Sequence, residues 1–146
     1  MPRETLIFDS SVVSRVSRQG HGLALGTTLD GEDLRRPYAA CWAISIVTIA
    51  EARAGYRIGR WGSRRVTKAE LVLGAFVPLT IDDADVEEWS RLMAAARAKG
   101  VALSDNDLWI AATASSRGCA LVTCDRDHER IAPEMPVEVV FLAPPV

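Results

Sequence analysis

The 146-residue sequence has no apolar run near the roughly 20 residues that a membrane-spanning helix needs. The N-terminal stretch MPRETLIFDSS has a charged start, but its apolar part is too short for a signal peptide. We therefore expect a cytoplasmic protein that is not associated with a membrane.

Cysteine and histidine are scarce. The three cysteines (Cys41, Cys119 and Cys124) are odd in number and form no CxxC pair, which argues against a disulfide framework or a thiolate zinc site. We expect buried, reduced thiols. His21 and His128 lack the spacing of a metal-binding pair, and we interpret both as surface or structural residues.

Charge of one sign is also lacking, because the formal net charge is only -2. A net charge this close to zero does not indicate nucleic-acid binding, although a local basic patch can exist within a nearly neutral protein. The 49% of hydrophobic and 25% of charged residues are typical of ordinary globular proteins. With no repeat, low-complexity tract or linker, the length predicts a single domain over 1–146.

Short continuous apolar runs alternate with helical patterns along the chain. Such strands are typical of a parallel sheet covered by helices on both faces, so the predicted fold class is α/β. One helix after the third run carries Val86, Trp89, Met93 and Ala96 on one face. The segment 18–38, rich in glycine and charge, stays unassigned. The strand-like runs are residues 6–8, 43–47, 76–81, 120–123 and 137–142.

Four acidic residues fall where the predicted strands lead into helices. Asp9 and Asp125 each follow a strand-like run, whereas Glu51 and Asp107 lie in the first turn of a predicted helix. In an open parallel sheet, ligands bind outside the carboxyl ends of the strands, where these turns converge. The four carboxylates are therefore expected to meet at one edge of the sheet.

Each acid also has an ordinary structural explanation. The sequences TIAE at 48–51 and SDND at 104–107 match the capping box, and taken singly we favour capping for both. Asp82, Asp83 and Asp85 are interpreted only as acids favoured by a helix dipole. The same dipole is expected to help keep Asp107 ionised. Aspartates that follow strands are also common as turn residues.

Taken together, the four acids favour a shared site over separate capping roles. Four converging carboxylates repel one another and raise their own pKa values unless a cation lies among them. Oxygen ligands without neighbouring cysteine or histidine favour Mg²⁺ or Mn²⁺ over Zn²⁺. The sequence therefore predicts a Mg²⁺ or Mn²⁺ site.

Four motifs, LIFDSS, SIVTIAEARAG, NDLWIAATA and LVTCDRD, resemble in order and spacing those of the PIN-domain ribonucleases, most closely the VapC-type toxins of bacterial toxin-antitoxin pairs. The resemblance covers most of the chain outside 18–38. It implies a three-layer α/β/α domain, usually a homodimer, that cleaves RNA with Mg²⁺ or Mn²⁺. It also implies a cognate VapB-type antitoxin that neutralises the toxin.

The resemblance also implies roles for particular residues. The family has hydroxyl groups that help hold the acidic cluster where this chain has Ser11 and Thr123. Asp127 either supports the site or exchanges roles with Asp125. The family often has an aromatic residue where this chain has His128. The predicted catalytic and metal-binding acids are Asp9, Glu51, Asp107 and Asp125.

RNA contact requires positive charge, and the second predicted helix is rich in arginine. On a continuous helix Arg53, Arg57, Arg60 and Arg64 form one stripe, on the side away from Glu51. The stripe is either a solvated face, an RNA track or a partner interface. We interpret the tryptophans as core or interface residues rather than base readers; they are Trp42, Trp61, Trp89 and Trp109.

Three other functions remain open from the sequence. The first is a PIN-fold nuclease outside any toxin system, acting on DNA or structured RNA. The second is a catalytically silent binding module whose acids serve only capping and docking. The third is a metal-dependent phosphatase for small phosphate esters, which would need a closed pocket rather than an open groove.

Overall fold

The computed structural model describes residues 4–18 and 41–142. His21 and, apart from Arg18, the unassigned segment 18–38 lie outside the described residues. Within the described ranges, no helix combines the length and the apolar character that crossing a bilayer requires.

The described chain forms a five-stranded parallel sheet with strand order β3-β2-β1-β4-β5. The central strand β1 pairs Ile7 with Ala43 on one side and with Leu121 on the other. The strands are β1 (Thr5–Phe8), β2 (Cys41–Ser45), β3 (Val77–Leu79), β4 (Ala120–Thr123) and β5 (Val139–Phe141). The helices are α1 (Ser10–Arg18), α2 (Ile46–Ile58), α3 (Ser63–Leu73), α4 (Asp83–Lys99) and α5 (Asp105–Arg117). Two short 3₁₀ helices, Arg126–Arg130 and Ala132–Glu134, separate β4 from β5.

Both faces of the sheet are buried. Successive side chains of a strand point to opposite faces, and in β1 Leu6 and Phe8 join a core with α1 and α3, whereas Ile7 joins a second core with α4 and α5. The three-layer α/β/α arrangement that was predicted from the sequence is therefore confirmed.

The small residues of α5 explain its close approach to the sheet. Ile110, Ala111, Ala112 and Ala114 are all fully buried. Alanine side chains are short, so the backbone of α5 can lie close to the strands and to α4. The apolar run after Asp107 is therefore a packing surface that sets the position of the helix start.

A buried carboxylate links α4 to α5. Asp82 caps α4 and forms a capping box with Asp85, whereas the sequence predicted only that acids at this position are favoured by the helix dipole. Asp85 is 0% exposed and also accepts hydrogen bonds from Ser116 and, at 3.0 Å, from Arg117 of α5. Burial alone would raise the pKa of Asp85, but the bonds from Ser116, the Asp82 backbone and Arg117 outweigh it and hold the pKa below its usual value.

The start of α2 differs from the prediction. The strand-like run 43–47 is cut at Ser45, whose hydroxyl accepts the Val47 amide at 3.1 Å and caps a helix that begins at Ile46. The prediction of a capping box at 48–51 is therefore wrong, and Glu51 lies in the second turn of α2. In α4, Val86 is 46% exposed rather than on the buried face, and Leu92 is buried instead.

The predicted arginine stripe requires one continuous helix over residues 53–64. The structure has two helices there, so the prediction is wrong. Residues 59–62 separate α2 from α3, and Arg60 has a positive φ of 51°. A Cβ at Gly59 would lie 2.6 Å from the Trp61 indole nitrogen, so a larger residue there would have to displace the Trp61 ring. Arg53 instead pairs with Glu70 of α3 at 2.9 Å.

The tryptophans contribute mainly to packing. In the first core, Trp42 contacts the ring of Phe8 edge-on and the ring of Phe76 at a tilt. Trp89 and Trp109 stack on each other across α4 and α5, with ring centroids 4.9 Å apart. All three cysteines are free thiols, but they are partly rather than fully buried.

Replacing Ala111 by leucine should lower the free energy of unfolding by about 1–3 kcal/mol, because overpacking a full interior forces side chains out of their preferred rotamers. Urea unfolding followed by circular dichroism measures the change. Ala54→Leu, at an exposed position of α2, is the matched control and should change stability by less than about 0.5 kcal/mol. Equal effects of the two substitutions would contradict close packing of α5.

Asp85→Asn should lower the free energy of unfolding by about 1–3 kcal/mol at neutral pH. Because the folded-state pKa of Asp85 is lowered, its stabilisation is present above the ordinary value of about 4 and is lost as pH falls through the folded-state pKa. The difference between wild type and variant should therefore shrink below about pH 4. Urea unfolding at several pH values tests this, with exposed Asp83→Asn as control; a gap that widens in acid would contradict it.

Candidate metal centre

Asp9 stands at the carboxyl end of the central strand. It is 1% exposed, and its carboxylate accepts three hydrogen bonds. The Ser10 amide donates at 2.8 Å, the Ser11 hydroxyl at 2.9 Å and the Thr123 hydroxyl at 2.7 Å. Two elements, α1 and β4, thus hold one buried carboxylate in place.

Thr123 links Asp9 to the acid that follows β4. Its hydroxyl, fully buried, donates to Asp9 Oδ2 and accepts the Asp125 amide at 3.0 Å. The Ser11 hydroxyl makes a parallel link, because it accepts the Cys124 amide at 3.0 Å. The structure therefore gives Ser11 and Thr123 contacts that fit the supporting roles predicted for them.

Asp125 and Asp127 differ in their surroundings. Asp125 is partly buried, and its Oδ1 accepts the Asp127 amide at 2.9 Å, which caps the first 3₁₀ helix. Asp127 is exposed and contributes its backbone to this contact. The charge of Asp125 raises the pKa of Asp107, so these two carboxylates lie close enough to interact. The choice between Asp125 and Asp127 as the fourth acid stays a prediction.

Glu51 reaches the same edge through Ser10. Glu51 Oε1 accepts the Ser10 hydroxyl at 2.9 Å, and Thr48 Oγ1 lies 3.1 Å from the same hydroxyl. Since the Ser10 amide also donates to Asp9, one serine connects the two acids. Sequence reasoning missed Ser10, although the D-S-S triplet at 9–11 was the available signal.

Asp107 lies in the first turn of α5. The Ser104 hydroxyl caps the helix by accepting the Asp107 amide at 3.1 Å. Among the hydrogen bonds of the described residues, no return bond from the Ser104 amide to the Asp107 carboxylate occurs. The capping-box prediction is therefore confirmed only for its serine half, and the carboxylate is not engaged in capping the Ser104 amide.

Burial raises the pKa of Asp107, and the charges of Asp9 and Asp125 raise it further. A hydrogen bond from Ser104 and the neighbouring His128 oppose this rise without cancelling it. The pKa of Asp107 therefore lies above its ordinary value. The expectation that the helix dipole helps to keep this carboxylate ionised stays a prediction. Within the described ranges, none of the four predicted acids forms an ion pair that would relieve the repulsion.

Asp9, Asp107 and His128 come together at one point. One ligand atom from each lies within 4.8 Å of the other two. Donors bound to one cation at about 2.0–2.3 Å lie at most about 4.6 Å apart, so the spacing fits a divalent ion after small adjustments. Glu51 and Asp125 do not belong to this group of three and adjoin it through Ser10 and Thr123.

His128 was interpreted from the sequence as a surface or structural residue. It is fully buried, so a surface position is wrong. The overlooked signal was its position three residues after Asp125, within the turn that follows β4.

A family profile described as the PIN domain matches residues 7–133. The chain belongs to the PIN-domain family. The resemblance inferred from the four motifs is thereby confirmed, and so is the family's α/β/α fold.

Two curated relatives from Mycobacterium tuberculosis are similar in sequence. Ribonuclease VapC4 is 38% identical over 90 residues, which cover 60% of this chain and 68% of the relative. Ribonuclease VapC5 is 30% identical over 100 residues, covering 67% and 74% respectively. The prediction of a nuclease, rather than a binding module that merely keeps the fold, is supported by these names.

Solved structures are similar in fold. VapBC-5 from Mycobacterium tuberculosis, a member of the VapBC family of toxin-antitoxin systems, has a chain with a TM-score of 0.70 and 25% identity, covering 94% of this chain and 98% of its own. VapBC2 from Rickettsia felis, bound to a DNA fragment from its promoter, has a TM-score of 0.77 at 18% identity, covering 92% and 98%. The second likeness shows the fold alone.

Thr123→Val should weaken Mn²⁺ binding by about 10–100-fold, because residues that orient metal ligands commonly contribute that much. It should also lower the free energy of unfolding by about 1–3 kcal/mol, since Asp9 loses a donor and the Asp125 amide an acceptor. Calorimetric titration with Mn²⁺ and urea unfolding measure the two effects.

Thr113→Val is the matched control for this test. Thr113 is equally buried, but its hydroxyl donates to Trp109 within α5. Its replacement should leave Mn²⁺ affinity unchanged. Equal losses of affinity in the two variants would show that Thr123 has no special relation to the site.

Proposed function

We propose that this PIN-domain protein is a metal-dependent endoribonuclease toxin that hydrolyses RNA phosphodiester bonds at its acidic edge. The observation that carries the proposal is the approach of Asp9 and Asp107 to within reach of one cation at the carboxyl ends of β1 and β4. The two relatives named as VapC ribonucleases support RNA as the substrate.

In this proposal Asp9 and Asp107 bind Mg²⁺ or Mn²⁺, and Glu51 and Asp125 complete the cluster directly or through water. A bound divalent cation lowers the pKa of water and neutralises charge on the phosphate. One of the four carboxylates accepts the proton of the attacking water. Glu51, Asp107 and Asp125 are partly exposed and would be accessible to an entering phosphate, whereas Asp9 is buried and held by hydrogen bonds.

The hydroxyl groups around Asp9 keep the site ready to bind. Ser11 and Thr123 hold one carboxylate oxygen of Asp9, and the Ser10 amide holds the other. Because these donors are already placed, little side-chain freedom is lost when a cation or phosphate enters. Three short hydrogen bonds to Asp9 thus favour a preformed site.

Asp107→Asn should lower the rate of RNA cleavage by at least about 100-fold, since a bound metal contributes several kcal/mol to such a reaction. Asp105→Asn is the matched control, because it removes the same charge from an exposed position of the same helix turn. It should retain nearly full activity. The measurement is cleavage of a panel of labelled RNAs by antitoxin-free protein with Mg²⁺ or Mn²⁺, with EDTA as the metal-free reference.

The same assay separates the alternatives. Cleavage of matched DNA but not RNA would contradict the ribonuclease proposal, and hydrolysis of small phosphate monoesters alone would indicate a phosphatase. A silent binding module would cleave nothing and would not gain thermal stability with Mn²⁺. Metal at about 100 times its dissociation constant should otherwise stabilise the fold by about 2.7 kcal/mol.

We further propose that a VapB-type antitoxin binds and neutralises this protein, which functions in the cytoplasm as a homodimer. VapBC toxin-antitoxin proteins among the structural neighbours support the antitoxin. Ile58 of α2 and Leu71 of α3, which are 84% and 72% exposed, are the apolar side chains that we propose contact such a partner.

Expression of the protein alone should arrest bacterial growth, and co-expression of its antitoxin should restore growth. Asp107→Asn should be harmless in the same cells, whereas Asp105→Asn should remain toxic. Growth curves measure both effects, and light scattering of the purified protein measures its mass. Growth arrest by Asp107→Asn equal to that of wild type would contradict toxicity through RNA cleavage.

A further inference from the structure

His128 is held in a defined orientation beside the carboxylates. It lies in the first 3₁₀ helix, is fully buried, and has Nδ1 3.3 Å from the backbone oxygen of Asp125. A carbonyl oxygen only accepts hydrogen bonds, so Nδ1 carries the proton. In the neutral ring this leaves a lone pair on Nε2.

The Nε2 atom is buried and has no hydrogen-bond partner among the described residues. Leaving a buried polar atom unpaired costs about 1–3 kcal/mol, and such atoms are rare in interiors. An apolar side chain would fill the same space without this cost. The unpaired Nε2 atom is therefore available to a ligand.

The surroundings of the ring indicate which ligand. One ring nitrogen of His128 lies within 4.8 Å of ligand atoms of both Asp9 and Asp107. Two carboxylates provide negative charge, and Nε2 would add a lone pair as a third ligand atom once it carries no proton. A histidine that binds metal through one nitrogen commonly donates its other N–H to a backbone carbonyl, as His128 does to Asp125.

We propose that His128 binds through Nε2 the same divalent cation as Asp9 and Asp107, and that the resulting nitrogen-oxygen site selects Mn²⁺ over Mg²⁺. This inference rests on the proposed function, because it requires the cation site at the acidic edge. Mg²⁺ is bound mainly by oxygen and keeps much of its water. Mn²⁺ is a first-row transition ion and binds an imidazole nitrogen more strongly than Mg²⁺ does, so an added nitrogen donor raises the affinity for Mn²⁺ relative to Mg²⁺.

Binding of Mn²⁺ alone to the purified full chain tests the proposal without any assay of activity. Electron paramagnetic resonance measures free Mn²⁺ and hence the dissociation constant, and competition gives the affinity for Mg²⁺. Electron spin-echo modulation detects directly bound ¹⁴N. We expect a ¹⁴N signal in wild type.

His128→Asn is the main variant, because its amide nitrogen can keep the hydrogen bond to the Asp125 carbonyl while Nε2 is lost. His128→Phe is the second variant and keeps an aromatic ring in the buried space. Both should lose the ¹⁴N signal and bind Mn²⁺ about 10-fold or more weakly. Their affinity for Mg²⁺ should change far less. Circular dichroism of the metal-free variants checks that each is folded.

The outcomes separate this inference from the proposed function. Mn²⁺ that binds wild type, depends on Asp107 and shows no ¹⁴N signal would overturn the role of His128 and leave the carboxylate site intact. Equal losses of Mg²⁺ and Mn²⁺ affinity in both folded variants would overturn the selectivity. No Mn²⁺ binding by wild type would overturn both proposals.

Discussion

The buried carboxylate of Asp9 is the contact on which the site depends. An ionised carboxylate inside a protein is costly unless hydrogen bonds or opposite charge compensate for the lost water. Here Ser10, Ser11 and Thr123 supply three donors. Because these donors belong to α1 and β4, satisfying Asp9 also fixes how the ends of the central strands and the first helix meet.

The second carboxylate is brought to this point by packing rather than by polar contacts. The Ala111, Ala112 and Ala114 face of α5 is fully buried against the second core, and α4 is tied to the far end of α5 through Asp85 and Arg117. The start of α5 is thereby held near Asp9. Nothing in the described residues neutralises the resulting repulsion by an ion pair, which is why a cation is the natural complement of this edge.

Local sequence patterns were sufficient for much of the fold. Apolar runs around Ile7, Ala43 and Leu121 predicted buried parallel strands, and D-S-S after β1 marked the start of α1. Patterns failed where two local signals competed. The apolar run 43–47 continues into α2, so only the cap formed by Ser45 locates the boundary. Arginine spacing suggested a stripe, but the turn at 59–62 breaks the helix on which it depends.

What the sequence by itself determined was the order of the strands and helices and the carboxylates placed at their junctions, because short-range periodicity and turn chemistry are local properties. Only the tertiary structure decided which of those acids share one point, that Ser10 joins Glu51 to Asp9, and that His128 is buried beside them. Asp9, directly after β1, precedes Asp107 and His128 by about a hundred positions in the sequence. Their proximity follows from strand register and helix packing, which no short window of sequence contains.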